Sequence, residues 1–242
     1  MPGGVYSALS GMQMRLAELD RIAADLANIG TAGYKTEKTG AVSSERQAFS
    51  VALDSAVDVA EGDTRVDMRS GTVTSTGRGL DVALQGKGFI TIETPNGVRY
   101  TRNGALTRGA DGTLMTALGE PVVNEGGTGP IRLTPGEVEI GGDGTVRVGG
   151  TVVGKIQIVE FERQEQLVRE SGARFRAIPG AEPQPPQDTT LVAGALEQSN
   201  ASAVDLMAKL TDVTRTFETL QRGISVLNND LDARAISELA RR

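Results

Sequence analysis

Gly77 to Phe89, GRGLDVALQGKGF, gathers four glycines around a lysine, the ingredients of a loop that cradles phosphate with backbone N–H groups. The spacing is wrong for that chemistry. Neither G-x-x-x-x-G-K-[ST] nor G-x-G-x-x-G at a strand-to-helix junction is present, so the glycines read as β-turn residues, with Leu80, Val82 and Leu84 alternating inward. Asp111-Gly112-Thr113 and Asp143-Gly144-Thr145 present oxygens that suit a hard cation. Both lack the ligand density of a calcium loop, and tight turns are the expected role. Glu160 and Glu162 share one face of an expected strand, in the manner of a carboxylate pair for acid–base work. No second functional group stands beside them in the sequence, and a solvated strand face is the simpler reading.

Composition removes most other chemistry. The 242 residues include no Cys, no His and no Trp. There is therefore no thiol nucleophile, no disulfide framework and no thiolate metal site. The usual general base at neutral pH and the commonest metal ligand are also missing. A net charge of −6 argues against an extended nucleic-acid footprint, which needs clustered Lys and Arg. The opening MPGGVYSALSGMQMRL lacks the basic region, apolar run and small-residue cleavage site of a Sec-type signal peptide. No stretch reaches the roughly 18 apolar residues of a membrane span. The expectation is a non-enzymatic chain with no cofactor, no bound metal, no nucleic-acid partner and no direct membrane insertion.

The elements that remain to be explained are two helices, one at each end. Val5, Leu9, Met12, Leu16, Leu19, Ala23 and Leu26 recur at alternating intervals of four and three, a heptad seam with Arg15, Glu18, Asp20, Arg21 and Asp25 off it. Gly30 falls where a left-handed helix cap is expected. Leu206, Leu210, Val213, Phe217, Leu220, Ile224, Leu227 and Leu231 repeat the pattern near the C-terminus, behind Ser202-Ala203-Val204-Asp205, which has the form of a capping box. Burying one such seam falls short of the cost of ordering its helix, so each helix needs another surface. The chain leaves and returns through one middle domain, so the helices are expected to pair antiparallel, with further burial from other copies. The plainer alternative packs both on the chain's own β-domain, although that usually needs a wider apolar stripe.

The middle is expected to be all-β. Most of the 31 glycines lie between Gly71 and Gly154, interleaved with β-rich runs such as Phe89-Ile90-Thr91-Ile92 and Ile156-Gln157-Ile158-Val159. Pro95-Asn96-Gly97 is a hairpin signal of the type I′ kind, which needs positive φ at both central residues. Pro179, Pro183, Pro185 and Pro186 mark an extended connector. The expected fold is α+β: a helical core domain of residues 1–35 and 196–242, a connector at 36–70, a β-domain at 71–178 and a proline-rich return at 179–195.

Four ordered blocks resemble a known family. LANIGTAGYK, Leu26 to Lys35, is similar to the L-A-N-x-x-T-x-G-[YF]-K signature of bacterial flagellar rod and hook proteins, with Ala32 where proline is common. TGRGLDVALQGKGFITI resembles their T-x-R-x-L-D-x-A-[IL]-x-G-x-G-F block, and YTRNGAL, Tyr100 to Leu106, their Y-T-R-x-G-x-[FL] block. Leu196 to Ile224 resembles their L-E-x-S-N-V block and its following helix, with Ala201 in place of the frequent Val. TEKTGAVSSERQAF does not match the segment usual in the distal-rod type, and the chain looks more like the proximal-rod type.

The resemblance implies a structural subunit of the flagellar basal-body rod. It would be exported unfolded by the flagellar type III apparatus without a cleaved signal, and would polymerise helically with its own kind and other rod proteins. The residues expected to carry assembly are Leu9, Met12, Leu16, Leu19, Leu26, Leu206, Leu210, Val213, Phe217, Leu220, Ile224, Leu227 and Leu231 on the seams. Asn28, Gly33 and Tyr34 join them at the junction between helical core and outer domain. Gly33 is expected to need a conformation or close approach that a Cβ would obstruct, with Gly33→Val sparing the β-domain and disrupting the rod. The competing reading, a β-rich binding or enzymatic domain dimerised by a coiled coil, would show ordered helices in dilute solution.

Overall fold

The computed structural model describes residues 3–39, 64–126 and 129–239. They form two helices and many short antiparallel strands, an α+β architecture. Helix α1 is Gly3–Ala27 and helix α2 is Ala203–Leu239. Neither is long and apolar enough to cross a membrane. Ser202 caps α2 as its sequence implies: its Oγ accepts from Asp205 N at 3.4 Å, and its carbonyl accepts from Leu206 N at 2.9 Å.

The end of α1 differs from the expectation. Gly30 does not adopt positive φ. The helix stops three residues earlier, at Ala27, and a turn closes behind it: Thr31 N donates to Asn28 O at 3.0 Å and Thr31 Oγ1 to Asn28 Oδ1 at 3.2 Å. With that turn in place, no left-handed residue is needed at Gly30.

The chain divides into two compact units, one containing α1 and α2, the other containing residues 28–38 and 65–201. Within the helical unit α1 and α2 lie in contact, and a Cβ on Gly11 would sit 3.7 Å from Leu220 Cδ1. On α2 the seam is the more covered face. Leu206 and Val213 are buried, and Leu210, Phe217, Leu220 and Ile224 are half-buried. On α1 the two fully buried residues, Ile22 and Asp25, lie one position before the heptad residues Ala23 and Leu26. Met12, Leu19 and Leu26 of the heptad are half-buried, as are Gly11, Arg15 and Glu18, whereas Leu16 is 47% exposed and Ala23 is exposed. Positions 11, 15, 18, 22 and 25 keep the same four-three spacing, one residue earlier, so the two lines run side by side. Leu9, Leu227 and Leu231 fall on helical backbone whose side chains lie outside the described residues.

The β-unit has two adjoining cores. One collects aliphatic residues, among them Val82, Leu84, Ile90, Ile92, Leu106 and Val146. The other is aromatic: Phe89 meets Phe161 and Phe175 edge-on at 6.1 and 5.6 Å between centroids, and Tyr100 meets Phe161 at 4.9 Å. A five-stranded sheet runs through both in the order Ile158–Val159, Phe89–Thr94, Gly97–Thr101, Arg174–Ala177, Leu167–Arg169. A three-stranded sheet, Thr151–Lys155, Thr145–Val148, Val138–Ile140, covers the aliphatic side.

Tertiary packing revises several local readings. Val82–Gln85 buries Val82, Ala83 and Leu84 in succession instead of alternating, because it is enclosed on both faces. Its partner, Thr190–Ala193, is a core strand with Leu191 buried, although it lies in the stretch read as return connector. The hairpin at 94–97 has Pro95 and Asn96 at its tip, neither at positive φ; the positive φ of 97° falls on Gly97. Proline's ring fixes φ near −65°, which rules out the type I′ turn at Pro95-Asn96. The connector read at 36–70 lies mostly outside the described residues, but Glu37–Thr39 pairs with Thr64–Val66.

Candidate functional site

Three charged side chains from distant parts of the chain meet inside the β-unit. Lys35 Nζ donates to Glu197 Oε1 at 2.5 Å, and Arg102 Nε donates to Glu197 Oε2 at 2.8 Å. The Lys35 and Glu197 side chains are 0% exposed and Arg102 only 2%. Two cations thus share one carboxylate out of contact with water, an arrangement that is costly unless every remaining donor is satisfied. Backbone carbonyls supply the rest. Arg102 donates through Nη1 to Gly86 O and Gly88 O at 3.1 and 3.0 Å, and through Nη2 to Leu84 O and Gly86 O at 3.3 and 3.1 Å. Lys35 Nζ also reaches Arg69 O at 2.8 Å, and Gly71 N donates to Glu197 Oε1 at 2.9 Å.

The glycine-rich loop that superficially suggested phosphate binding therefore has the opposite polarity. Its carbonyls face inward around a guanidinium, and Lys87 is exposed beyond it. A phosphate cradle needs inward N–H groups.

Electrostatics keep Glu197 ionised. Burial, the largest influence, pushes its carboxyl up, but Arg102 and Lys35 together hold it below the ordinary carboxylate value. Burial presses the Lys35 ammonium below its usual value, and Glu197 offsets only part of that.

Around this triad the segments that follow α1 and precede α2 in the chain are fastened together within the β-unit. Gly33 N donates to Glu197 O at 2.7 Å, Thr36 N donates to Asn200 Oδ1 at 2.9 Å, and Asn200 Nδ2 donates to Asp67 O at 2.7 Å. Gly33 has φ of 68°, and a Cβ there would lie 2.3 Å from the Arg102 carbonyl carbon. Both requirements anticipated for this glycine are present, and each alone disfavours any other residue. Tyr34 is buried with Arg169 stacked 4.8 Å over its ring. Arg169 also donates to the Tyr34 hydroxyl, and its Nε bonds Glu37 Oε1 at 3.0 Å.

Sequence reasoning selected Asn28, Gly33 and Tyr34 but passed over Lys35, Arg102, Arg169 and Glu197 as site residues. Their separation hides them, since Glu197 lies 162 residues from Lys35 and 95 from Arg102. The only local signal was that three of them lie within blocks shared with the rod and hook family, Lys35 in LANIGTAGYK, Arg102 in YTRNGAL and Glu197 in the block that starts at Leu196.

The other candidate groups are occupied by turns. Asp111 Oδ1 accepts Thr113 N at 3.0 Å and its Oδ2 accepts Thr113 Oγ1 at 2.7 Å; Asp143 and Thr145 repeat this at 3.1 and 2.6 Å. The threonine hydroxyl, then its amide, lowers each carboxyl pKa. Glu160 is no solvated strand residue: its Oε1 accepts Thr189 Oγ1 at 2.6 Å and Gln187 N at 3.2 Å, capping the loop before the Thr190–Ala193 strand. Among the described residues no cluster of acidic side chains has metal-binding geometry.

The buried ionic cluster lies wholly inside the β-unit, where backbone carbonyls fill its remaining valences and three distant parts of the chain are held together. Residues 83–148 match the family model of the flagellar hook protein FlgE/F/G D1 domain, and residues 192–237 that of the flagellar basal body rod FlgEFG protein C-terminal region. The chain is 33% identical over 227 residues to the flagellar basal-body rod protein FlgF of Caulobacter vibrioides, covering 92% of each chain. It is 29% identical over 249 residues to FlgF of Salmonella typhimurium, covering 95% of this chain and 96% of that one. With the flagellar basal-body rod protein FlgG of Bacillus subtilis it shares 31% over 242 residues, 89% of this chain and 91% of the relative. The chain belongs to the flagellar basal-body rod protein family.

Proposed function

We propose that this chain is a structural subunit of the flagellar basal-body rod, of the FlgF (proximal-rod) type, that polymerises helically through its terminal helices to transmit torque. The carrying observation is on α1, where Ile22 and Asp25 are buried while Leu16 of the apolar heptad and Met14 beside it stay nearly half exposed. On α2, Val204 and Met207 are 77% and 55% exposed. In this reading the helices pair antiparallel, and their uncovered apolar positions pack on other copies and neighbouring rod proteins.

Gly33 and Tyr34 are buried within the β-unit, so they serve assembly by holding that unit's fold rather than by touching a neighbour. The subunit works in the basal body, reached through the flagellar type III apparatus. The FlgG type is the alternative, favoured by the similarity to the Bacillus subtilis relative. Paired substitutions Leu16→Ser and Met207→Ser should leave the β-unit's melting unchanged and abolish incorporation into isolated basal bodies. Normal incorporation would refute the assignment of these helix faces to assembly.

A further inference from the structure

Four places in the chain join Asn or Asp to Gly, the dipeptides whose small second residue lets a side-chain carbonyl carbon approach the following backbone nitrogen. They are Asn96-Gly97, Asn103-Gly104, Asp111-Gly112 and Asp143-Gly144. Their surroundings differ sharply.

Asn103 Oδ1 accepts Ala105 N at 3.0 Å, and Asn103 N donates to Thr101 Oγ1 at 3.0 Å. Gly104 is buried against Val82, whose carbonyl oxygen would lie 1.7 Å from a Cβ there, and the Gly104 carbonyl accepts Val82 N. The peptide is held on both sides. Both oxygens of Asp111 and of Asp143 are engaged by the threonine two residues on. Asn96 is different. It is exposed at the hairpin tip, its carboxamide has no partner among the described residues, and only Arg99 Nη1 lies within 4 Å of the space beside Gly97.

We propose that Asn96 is a site of spontaneous deamidation, and that the fold protects Asn103 from the same reaction and Asp111 and Asp143 from the related imide closure, in which water leaves instead of ammonia. The Gly97 backbone nitrogen gives up its proton to solvent base and bonds to Asn96 Cγ. The Cγ–Nδ2 bond then breaks and ammonia leaves, carrying protons drawn from water. Hydrolysis of the resulting cyclic imide at either carbonyl adds one water and gives an aspartyl or isoaspartyl residue. No oxidant or cofactor is consumed, and the outer turn gains one negative charge. This inference is independent of the proposed assembly role.

The test incubates the full-length protein at mildly alkaline pH and maps peptides by mass, with an isoaspartyl methyltransferase as the probe for isoaspartate. The expected result is methyl acceptance and a mass gain of amide to acid in the peptide containing Asn96 alone. The same incubation in denaturant should label the Asn103 peptide as well, which separates structural protection from intrinsic reactivity. Asn96→Gln should abolish the native signal without altering the melting curve. Native labelling of Asn103 as fast as Asn96, or an unmodified Asn96 in folded protein while the denatured chain converts, would overturn the proposal.

Discussion

The two units of this chain invert the usual relation between pattern and burial. The helices carry the most regular apolar periodicity in the sequence, yet Leu16 on the α1 seam stays 47% exposed, and Met14, Val204 and Met207 beside the seams are uncovered as well. The β-unit has glycine-broken, irregular runs, yet it buries aliphatic and aromatic cores, and with them a lysine, an arginine and a glutamate. A strict heptad specifies a surface for another helix, and its completeness depends on how many partners are present. A β-unit with long-range pairing must close within one chain, and it does so here around residues that one strand alone would not bury.

The comparison can be broken first at the buried triad. Glu197→Gln should cost the β-unit about 3 to 5 kcal/mol, because it leaves Lys35 and Arg102 buried together without their shared counter-charge. Denaturant unfolding of the β-unit measures this, and a loss below about 1 kcal/mol would mean that the carbonyl cage alone suffices.

Gly33→Val should come next, destabilising the same unit by about 2 kcal/mol or more through positive φ and the approach to Arg102. This revises the expectation that such a change spares the β-domain: the glycine lies inside it, and assembly would fail together with folding. Equal melting of variant and wild type would restore the original view.

On the helical side, Phe217→Ala should do the reverse. Phe217 is half-buried, so the loss in the single chain should stay under about 2 kcal/mol, against about 3 to 5 for a fully packed phenylalanine. Incorporation into basal bodies should nevertheless fall steeply. A large drop in β-unit melting with normal incorporation would erase the contrast between the units.

Asp67 sharpens the comparison through pH. Burial pushes its carboxyl up, but hydrogen bonds from Arg69 and Lys38 outweigh that and hold it far below the usual carboxylate range. A depressed folded-state pKa stabilises at pH above the unfolded value near 4, and that contribution is lost as pH falls toward the folded value. The stability difference between wild type and Asp67→Asn should therefore be full at neutral pH and shrink below about pH 4. A difference constant with pH would show that the ion pairs carry nothing.

The smallest effect is expected at Asn28→Ala, about 0.5 to 1 kcal/mol from the lost bond to Thr31 Oγ1. Melting of the full chain should register it barely, and a loss above about 2 kcal/mol would give Asn28 a larger structural part than its bond to Thr31 Oγ1 provides.

What the sequence alone determined is local and periodic. Heptad spacing specified α1 and α2, and Ser202 and Asp205 marked where α2 starts. These depend on residues within one or two turns of each other. The family resemblance was legible for the same reason, since its blocks are short and ordered. What only the tertiary structure decided is every relation across distance. It put Thr190–Ala193 beside Val82–Gln85 in the core, moved the buried line of α1 onto Ile22 and Asp25, and turned a glycine loop's carbonyls toward Arg102. Above all it brought Lys35, Arg102 and Glu197 together. A charge in a sequence gives no sign of whether water or a counter-ion will surround it, and the cost of burying it is offset only when its partners arrive from elsewhere in the fold.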